Sequence, residues 1–245
     1  MKNFKKLALM GLTAVMSLSL LAACGGGNSG SAETPANNTE TPSVENTETP
    51  AASGEFTTVE AGKLIMSTNA QFPPYEMVGD GEGYEGTGYE GIDVEIAYAI
   101  AQKLGLELVV DNMGFDAALQ AVQTGKSDIV MAGVTVTDDR LEVMDFSDTY
   151  ANGIQVVIVP ENSDIATIDD LEGKLIGCQM GTTGYIYCSD TPENGGYGED
   201  AVIPYDDGAA AIQALMNGQV DCVVIDNAPA QEYVKANPGL KILDT

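Results

Sequence analysis

The single arginine of the chain, Arg140, is the side chain best suited to hold a carboxylate. It follows the apolar run 128–132, separated from it by Gly133-Val134-Thr135-Val136-Thr137-Asp138-Asp139. A guanidinium presents a rigid fork of N–H donors that matches the two oxygens of a carboxylate. This position predicts an anion-binding group at the mouth of a strand, next to a helix that Thr137 would cap. The alternative is a surface ion pair with one of the nearby aspartates, Asp138, Asp139 and Asp145.

A complementary group of polar residues follows two later apolar runs. Residues 220–225 lead into Asp226, and residues 174–178 lead into Gln179-Met180-Gly181-Thr182-Thr183. A carboxylate at Asp226, facing Arg140, would suit a zwitterion whose ammonium and carboxylate groups each meet an opposite charge. This pairing matters because a buried ion without a partner costs several kcal/mol. Asp226 could instead, or in addition, cap a following helix.

Three aromatic residues lie near predicted strand ends: Phe72, Tyr75 and Phe115. Phe72 and Tyr75 flank Pro73-Pro74, which favours an extended loop. As a group the three rings could wall a pocket around an aliphatic stem, whereas any one of them could belong to the core. Segment 79–91, in which Gly-Tyr-Glu-Gly occurs twice, predicts a glycine-rich hairpin or loop.

The elements that must hold these side chains alternate between strand and helix. The clearest helix is 93–104, in which apolar residues recur four apart, and 116–124 and 208–217 repeat this pattern before a glycine. Strands are predicted at 63–67, 106–110, 128–132, 155–159, 174–178, 201–205, 220–225 and 240–243. Nearly continuous apolar strands between helices indicate an α/β fold with parallel sheets covered on both faces.

The strand–helix–strand–helix–strand unit occurs twice, in 63–132 and in 174–225. Two such units imply two lobes with a cleft between them, and ligands of open α/β sheets bind beyond the carboxyl ends of the strands. We assign lobe 1 to residues 62–152, and the hinge strand with lobe 2 to residues 153–245. The crossover near 151–155 would absorb the change in backbone angles when the lobes close.

Composition excludes several classes of function. The 245 residues hold 10 Lys plus Arg, 37 Asp plus Glu and no His, which gives a formal net charge of −27. This balance argues against binding nucleic acid or anionic lipid through a basic face. Without histidine there is no Ser-His or Cys-His nucleophile and no imidazole metal ligand. We therefore expect no nucleic-acid partner and no nucleophile or metal site built on histidine. The cysteines show no paired spacing, so no metal site is expected from them either.

The N-terminal residues have the layout of a secretory signal peptide, predicted over 1–23, with a cationic start and a short apolar run. Leu21-Ala22-Ala23-Cys24 resembles the lipobox of bacterial lipoproteins, which implies cleavage before Cys24 and diacylation of its sulfur with fatty acids such as palmitate. The alternative is an ordinary signal with an incidental cysteine. From Cys24 to residue 61 the chain is Gly-, Ser-, Thr-, Pro- and Glu-rich, which predicts a disordered linker.

Three cysteines remain, Cys178, Cys188 and Cys222, and an odd number leaves at least one thiol unpaired. Cys178 and Cys222 each lie four residues before a predicted site residue, so they could be level on neighbouring parallel strands and form a bridge. The favoured interpretation is that they are buried free thiols that pack as small apolar side chains.

Several short motifs occur in a fixed order between residues 63 and 245: Phe72-Pro73-Pro74-Tyr75, Gly91-Ile92-Asp93-Val94-Glu95, Phe115-Asp116, residues 132–140, Asp145-Phe146-Ser147, Gly181-Thr182-Thr183 and Val224-Ile225-Asp226. Together they resemble the extracellular solute-binding proteins of polar amino-acid ABC transporters, solute-binding protein family 3. The resemblance implies the two-lobed type II periplasmic binding protein fold, each lobe a mostly parallel sheet flanked by helices. Members of this family continue for some tens of residues beyond Leu-Asp-Thr, so it also implies that the C-terminal return to lobe 1 is missing.

The resemblance further implies how the α-carboxylate and the α-ammonium of an amino acid are held. Arg140 would bind the α-carboxylate together with Thr135 and Thr183. Asp226 and the carbonyl of Gly133 would bind the α-ammonium.

The side chain of the ligand would meet a second set of residues. By the same resemblance, Phe72 and Phe115 would sandwich it, and Asn69 and Gln179 would contact its tip. Two further motif positions are expected to line the site: Ala132 and Thr182. Relatives with basic ligands often carry an acid where Asn69 stands, so a neutral polar amino acid is expected.

The function implied by the resemblance is that of a monomeric, lipid-anchored receptor outside the cytoplasm. It would bind a free amino acid, use no cofactor, and present the ligand to a membrane permease. One alternative is a sensory lipoprotein that binds the same ligand without a permease. Another is an enzyme, since some relatives are cyclohexadienyl dehydratases; the acids considered for that chemistry are Asp207, Glu193 and Glu199.

Overall fold

The computed structural model describes residues 56–243, which belong to one compact unit of the chain. The predicted signal peptide, Cys24 and most of the predicted linker lie outside the described residues.

The strands are β1 (Lys63–Thr68), β2 (Gln71–Phe72), β3 (Glu76–Val78), β4 (Tyr89–Glu90), β5 (Glu107–Asn112), β6 (Ile129–Val130), β7 (Gln155–Pro160), β8 (Ile176–Gln179), β9 (Val202–Tyr205), β10 (Cys222–Asp226) and β11 (Leu240–Ile242). The α-helices are α1 (Ile92–Leu104), α2 (Phe115–Gln123), α3 (Asp138–Leu141), α4 (Thr183–Ser189), α5 (Gly208–Met216) and α6 (Asn227–Ala236).

Lobe 1 is built on a parallel sheet in the order β5-β1-β6. Helix α1 packs on it through Val94, Ala97 and Ala101, which are fully buried with Met66. The helix ends at Gly105, whose φ of 70° is the left-handed conformation that suits glycine at this position. A second, antiparallel sheet, β2-β3-β4, continues lobe 1 beyond the end of β1.

Lobe 2 is built on a five-stranded sheet in the order β11-β7-β10-β8-β9. Strands β8, β9 and β10 pair in parallel, whereas β7 is antiparallel to both β10 and β11. The prediction of a mostly parallel sheet is confirmed, with β7 as its one reversed strand. The lobe boundaries at residues 152 and 153 remain a prediction.

The eight predicted strands and three predicted helices are all present, with ends shifted by a few residues. The largest difference is β6, predicted over 128–132, which is only Ile129–Val130 and pairs with β1 at two positions. Strands β2, β3 and β4 were not predicted as strands, because runs of two or three residues carry no readable periodicity. Within residues 56–243, no helix has the length and apolar composition needed to cross a bilayer.

The cysteine predictions had mixed outcomes. Cys178, Cys188 and Cys222 are free and buried in one apolar cluster of lobe 2, so the interpretation as free thiols is confirmed. The expectation that Cys178 and Cys222 are level on neighbouring strands is wrong. Cys222 is paired in register with Ile176, which places Cys178 two residues further along β8.

The strand directions bring the predicted site residues to facing edges of the two sheets. In lobe 1 the parallel strand β1 ends directly before Asn69, and β6 ends three residues before Gly133. In lobe 2 the parallel strands β8 and β10 end at Gln179 and Asp226. Parallel neighbours end at the same edge of a sheet, so each lobe offers one polar edge to the cleft.

Candidate functional site

The two polar edges meet around one cavity that is partly open to solvent. Every residue predicted from the sequence to bind ligand lines this cavity, together with one that was not predicted, Glu76. The lining residues are Asn69, Phe72, Glu76, Phe115, Ala132, Gly133, Thr135, Arg140, Gln179, Thr182, Thr183 and Asp226. The cavity is therefore formed by both lobes.

Arg140 lies buried at the boundary between the lobes. Its Nη1 donates to the carbonyl oxygen of Thr135 in lobe 1 (2.8 Å) and its Nη2 to that of Gly181 in lobe 2 (3.1 Å). The guanidinium carbon lies 5.5 Å from the centre of the Phe115 ring, within range of a cation–π interaction. The Thr137 hydroxyl accepts from the amide of Arg140 (3.3 Å), which confirms Thr137 as the cap of α3. The cavity-facing guanidinium contradicts the alternative of a surface ion pair with Asp138, Asp139 or Asp145.

The electrostatic setting of Arg140 is that of a buried cation with an acid nearby. Burial lowers the pKa of the Arg140 guanidinium, and the Asp116 carboxylate opposes that shift. Asp116 lies in the first turn of α2 and reaches across the cleft to Gly181. Gly181 has a φ of 76°, and a Cβ atom there would collide with the Asp116 carboxylate. Lobe 1 therefore contacts Gly181 through two side chains, Arg140 and Asp116.

Asp226 presents a half-buried carboxylate from lobe 2. It occupies the N-cap position of α6, yet its side chain makes no capping hydrogen bond. The predicted capping role is therefore met by backbone position only. Burial raises the pKa of the Asp226 carboxyl. A cation in the cavity would oppose this shift, because a nearby positive charge favours the ionised carboxylate.

The aromatic residues divide between cavity and core. Phe72 and Phe115 both line the cavity. The Phe72 ring stacks on Tyr75, with ring centres 5.9 Å apart, and both belong to an apolar cluster with lobe 2 residues. Gly133 lies against Phe72: it has a φ of 56°, and a Cβ atom there would come within 2.9 Å of Phe72 Cε1. Glycine is thus required for the backbone of 133 to approach the ring.

Two buried amides close one end of the cavity. Gln179 Nε2 donates to Asn69 Oδ1 (3.0 Å), and Asn69 Nδ2 donates to the carbonyl of Met113 (2.9 Å). The hydrogen bond between Gln179 and Asn69 joins the two lobes, as the contact of Arg140 with Gly181 also does.

The start of α4 supplies two hydroxyl groups. Thr182 donates to the carbonyl of Gln179 (2.8 Å) and caps the helix by accepting from the amide of Tyr185 (3.4 Å). The Thr183 hydroxyl accepts from Gln155 Nε2 (3.2 Å). Both threonines are therefore held in fixed orientations at the cavity wall.

Glu76 is the functional candidate that sequence reasoning missed. Its side chain is fully buried in β3, and neither carboxyl oxygen accepts a hydrogen bond from the described residues. Burial, reinforced by the nearby Asp93, raises the pKa of Glu76 well above its ordinary value. A cation beside Glu76 would offset the cost of ionising its buried carboxyl.

Asp93 does not line the cavity, but it holds the backbone of Gly133, which does. Its carboxylate accepts from the amide of Gly133 (2.9 Å) and from the hydroxyl of Tyr150 (2.8 Å). Burial raises the pKa of Asp93, and these two donors partly offset the rise. Tyr150 precedes the predicted crossover between the lobes, so Asp93 links the crossover to Gly133.

The acids considered for dehydratase chemistry lie elsewhere. Asp207 caps α5 by accepting from the amide of Ala210 (2.8 Å). Glu193 and Glu199 are exposed, and the cavity lining includes none of the three. Asp207 lines a neighbouring pocket that shares Asn69 and Phe115 with the cavity.

Comparisons with known proteins identify what the chain is similar to. Residues 64–185 match the bacterial extracellular solute-binding proteins, family 3. The arginine-binding extracellular protein ArtP of Bacillus subtilis is 32% identical over 180 residues, which cover 73% of this chain and 67% of ArtP. The probable histidine-binding protein of Neisseria gonorrhoeae is 35% identical over 180 residues, 73% of this chain and 64% of the relative. The chain therefore spans about two thirds of the length of these relatives.

The fold is also similar to solved structures. A crystal structure of the substrate-binding protein of an amino acid ABC transporter superposes with a TM-score of 0.67 at 34% sequence identity. The match covers 74% of this chain and 78% of that one. The predicted two-lobed type II fold is confirmed.

Proposed function

This chain belongs to the bacterial extracellular solute-binding proteins of family 3, and from that membership we propose that it captures a free polar amino acid between its lobes for an ABC transporter. The observation that carries the proposal is the placement of Arg140 and Asp226. They lie on different lobes, have opposite charges and line one cavity. An α-amino acid carries the complementary pair of charges on the two groups attached to its α-carbon.

The proposed binding mode follows from this placement. The ligand carboxylate binds the Arg140 fork, aided by the hydroxyls of Thr135 and Thr183. The ammonium binds Asp226 and the carbonyl of Gly133. Each charge then has a partner, and the buried guanidinium exchanges a neutral carbonyl acceptor for an ionic one, which is the stronger hydrogen bond.

We propose further that the preferred ligand has a cationic side chain, such as L-arginine. Once Arg140 and Asp226 hold the α-groups, Glu76 is the acid left in the cavity without a hydrogen-bonding donor among the described residues. The expectation of a neutral ligand rested on Asn69 alone, whereas Glu76 supplies a carboxylate from a different strand. Relatives named for binding arginine and histidine support this choice.

The wider setting of the protein is part of the same proposal. Members of this family are extracellular, and we propose that a lipid on Cys24 anchors this one, with the residues between Cys24 and the start of lobe 1 as a tether. It acts as a monomer that delivers its ligand to a permease. It binds without changing the ligand covalently.

Calorimetric titration of the chain with the common amino acids and with sugars tests this function. We expect heat of binding with amino acids, strongest with L-arginine, and none with sugars. Binding of sugars alone, or of nothing in the panel, would contradict amino-acid capture. Tighter binding of L-glutamine than of L-arginine would contradict the cationic preference and leave amino-acid capture standing.

Gly181→Ala is expected to weaken amino-acid binding by about ten-fold, because the new methyl group displaces Asp116 and holds the lobes apart. Gly173→Ala is the matched control. Gly173 has nearly the same φ, 77°, but a Cβ atom there meets nothing within 4 Å. Both variants carry similar backbone strain, so calorimetry on the pair isolates the contact across the cleft. Equal affinities for the two variants would show that Gly181 plays no part in closure.

A further inference from the structure

A hydrogen bond joins the lobes outside the ligand cavity. The hydroxyl of Tyr233, in α6 of lobe 2, donates to the carbonyl oxygen of Gln71, in β2 of lobe 1, over 2.7 Å. Neither residue is among those that line the cavity. The bond therefore makes no direct contact with a ligand in the cavity.

Tyr233 is held firmly in this position. Its side chain is buried, and the ring lies in an apolar cluster with Ile225 and Phe72. Gly208 is in close contact: a Cβ atom there would come within 2.8 Å of the Tyr233 hydroxyl and 3.0 Å of its ring. Burial raises the pKa of Tyr233, so the phenol stays protonated and remains a donor at physiological pH. The structure thus presents a fixed donor to a backbone acceptor on the other lobe.

We propose that Tyr233 is a latch for closure, a positioning residue that contributes the same factor to the affinity for every ligand. The bond joins an element of lobe 1 to an element of lobe 2, so opening of the cleft would break it and closure would form it. Any ligand that binds between closed lobes gains from the latch equally, because binding and closure are coupled. The contacts made by Arg140 and Gln179 differ in this respect, since both side chains also face the ligand. The affinity readout of this proposal rests on the proposed function.

Tyr233→Phe removes the hydroxyl and keeps the ring, and the chain offers a matched control. Tyr197 also donates through its hydroxyl to a backbone carbonyl, that of Ile168 (3.2 Å), but both residues lie in lobe 2. We expect Tyr233→Phe to weaken binding of L-arginine and of L-histidine by the same factor, about five-fold, the value of one neutral hydrogen bond. Faster dissociation should account for the loss, and Tyr197→Phe should bind both ligands as the wild type does. Unchanged affinity in Tyr233→Phe, or a loss confined to one ligand, would overturn the latch.

A second measurement separates failure of the latch from failure of the proposed function. If the wild-type chain binds no amino acid, the proposed function fails, and small-angle X-ray scattering of the protein alone decides the latch. Tyr233→Phe is then expected to have a larger radius of gyration than the wild type and Tyr197→Phe, because fewer molecules are closed. Equal radii for the three proteins would overturn the latch.

Discussion

Arg140→Ala is expected to weaken amino-acid binding by at least about a hundred-fold, the value of a lost bidentate, charge-assisted contact in a buried site. The guanidinium is buried and shared between the lobes, so the alanine variant loses both the carboxylate partner and the contact with Gly181. Titration calorimetry measures the loss directly, and circular dichroism verifies that the variant is folded.

Lys174→Ala is the control for removing one positive charge from a chain with a net charge of −27. Lys174 forms an ion pair with the exposed Asp164 (3.3 Å), away from the cavity. Its variant should bind as the wild type does. Arg140→Lys tests the fork itself, because a lysine keeps the charge but offers no planar pair of donors. Wild-type affinity in a folded Arg140→Ala protein would remove Arg140 from the ligand site.

Glu76→Gln is expected to weaken binding of L-arginine by about thirty-fold and to leave binding of neutral amino acids nearly unchanged. The substitution keeps the size of the side chain and removes the negative charge that we assign to the cationic end of the ligand. Glu107→Gln, which neutralises an exposed acid in β5, is the control and should change neither affinity. An unchanged affinity for L-arginine in Glu76→Gln would show that the side-chain guanidinium of the ligand does not bind Glu76.

The same variant has an expected effect on stability that depends on pH. Burial raises the pKa of Glu76 in the folded protein above its value in the unfolded chain. The stabilising contribution of the protonated carboxyl is therefore fully present below the unfolded pKa and is lost as pH rises through the folded one. Glu76→Gln should thus unfold at a higher temperature than the wild type at neutral pH. The difference should shrink as the pH falls toward the ordinary pKa of glutamate, and a constant difference would contradict the assignment.

Much of the site could be predicted because the end of a buried strand is visible in sequence. Asp226 and Gln179 directly follow apolar runs, and parallel strands bring such positions to one edge. Arg140 stood out as the only arginine in an acidic chain. These features depend on local pattern and on general rules of sheet topology.

Other features of the site and the fold depend on which distant segments of the chain pack together, and the local sequence pattern does not contain this information. Glu76 is one of 37 acidic residues, and nothing in its neighbourhood distinguishes it from a solvated one. Its burial arises from the small sheet β2-β3-β4, whose strands are too short to predict. The contacts of Arg140 and Tyr233 with carbonyls of the opposite lobe depend on the relative position of the lobes. The register of Cys222 with Ile176 is likewise set by the whole sheet.

The central claim is that Arg140 and Asp226 hold the α-carboxylate and the α-ammonium of one amino acid. Titration of the wild type and of Arg140→Ala with L-arginine and with agmatine, which lacks only the carboxylate, tests it most directly. We predict that the wild type prefers L-arginine over agmatine by at least about a hundred-fold and that Arg140→Ala shows almost no preference. An Arg140→Ala protein that still discriminates between the two ligands as strongly as the wild type would contradict the claim.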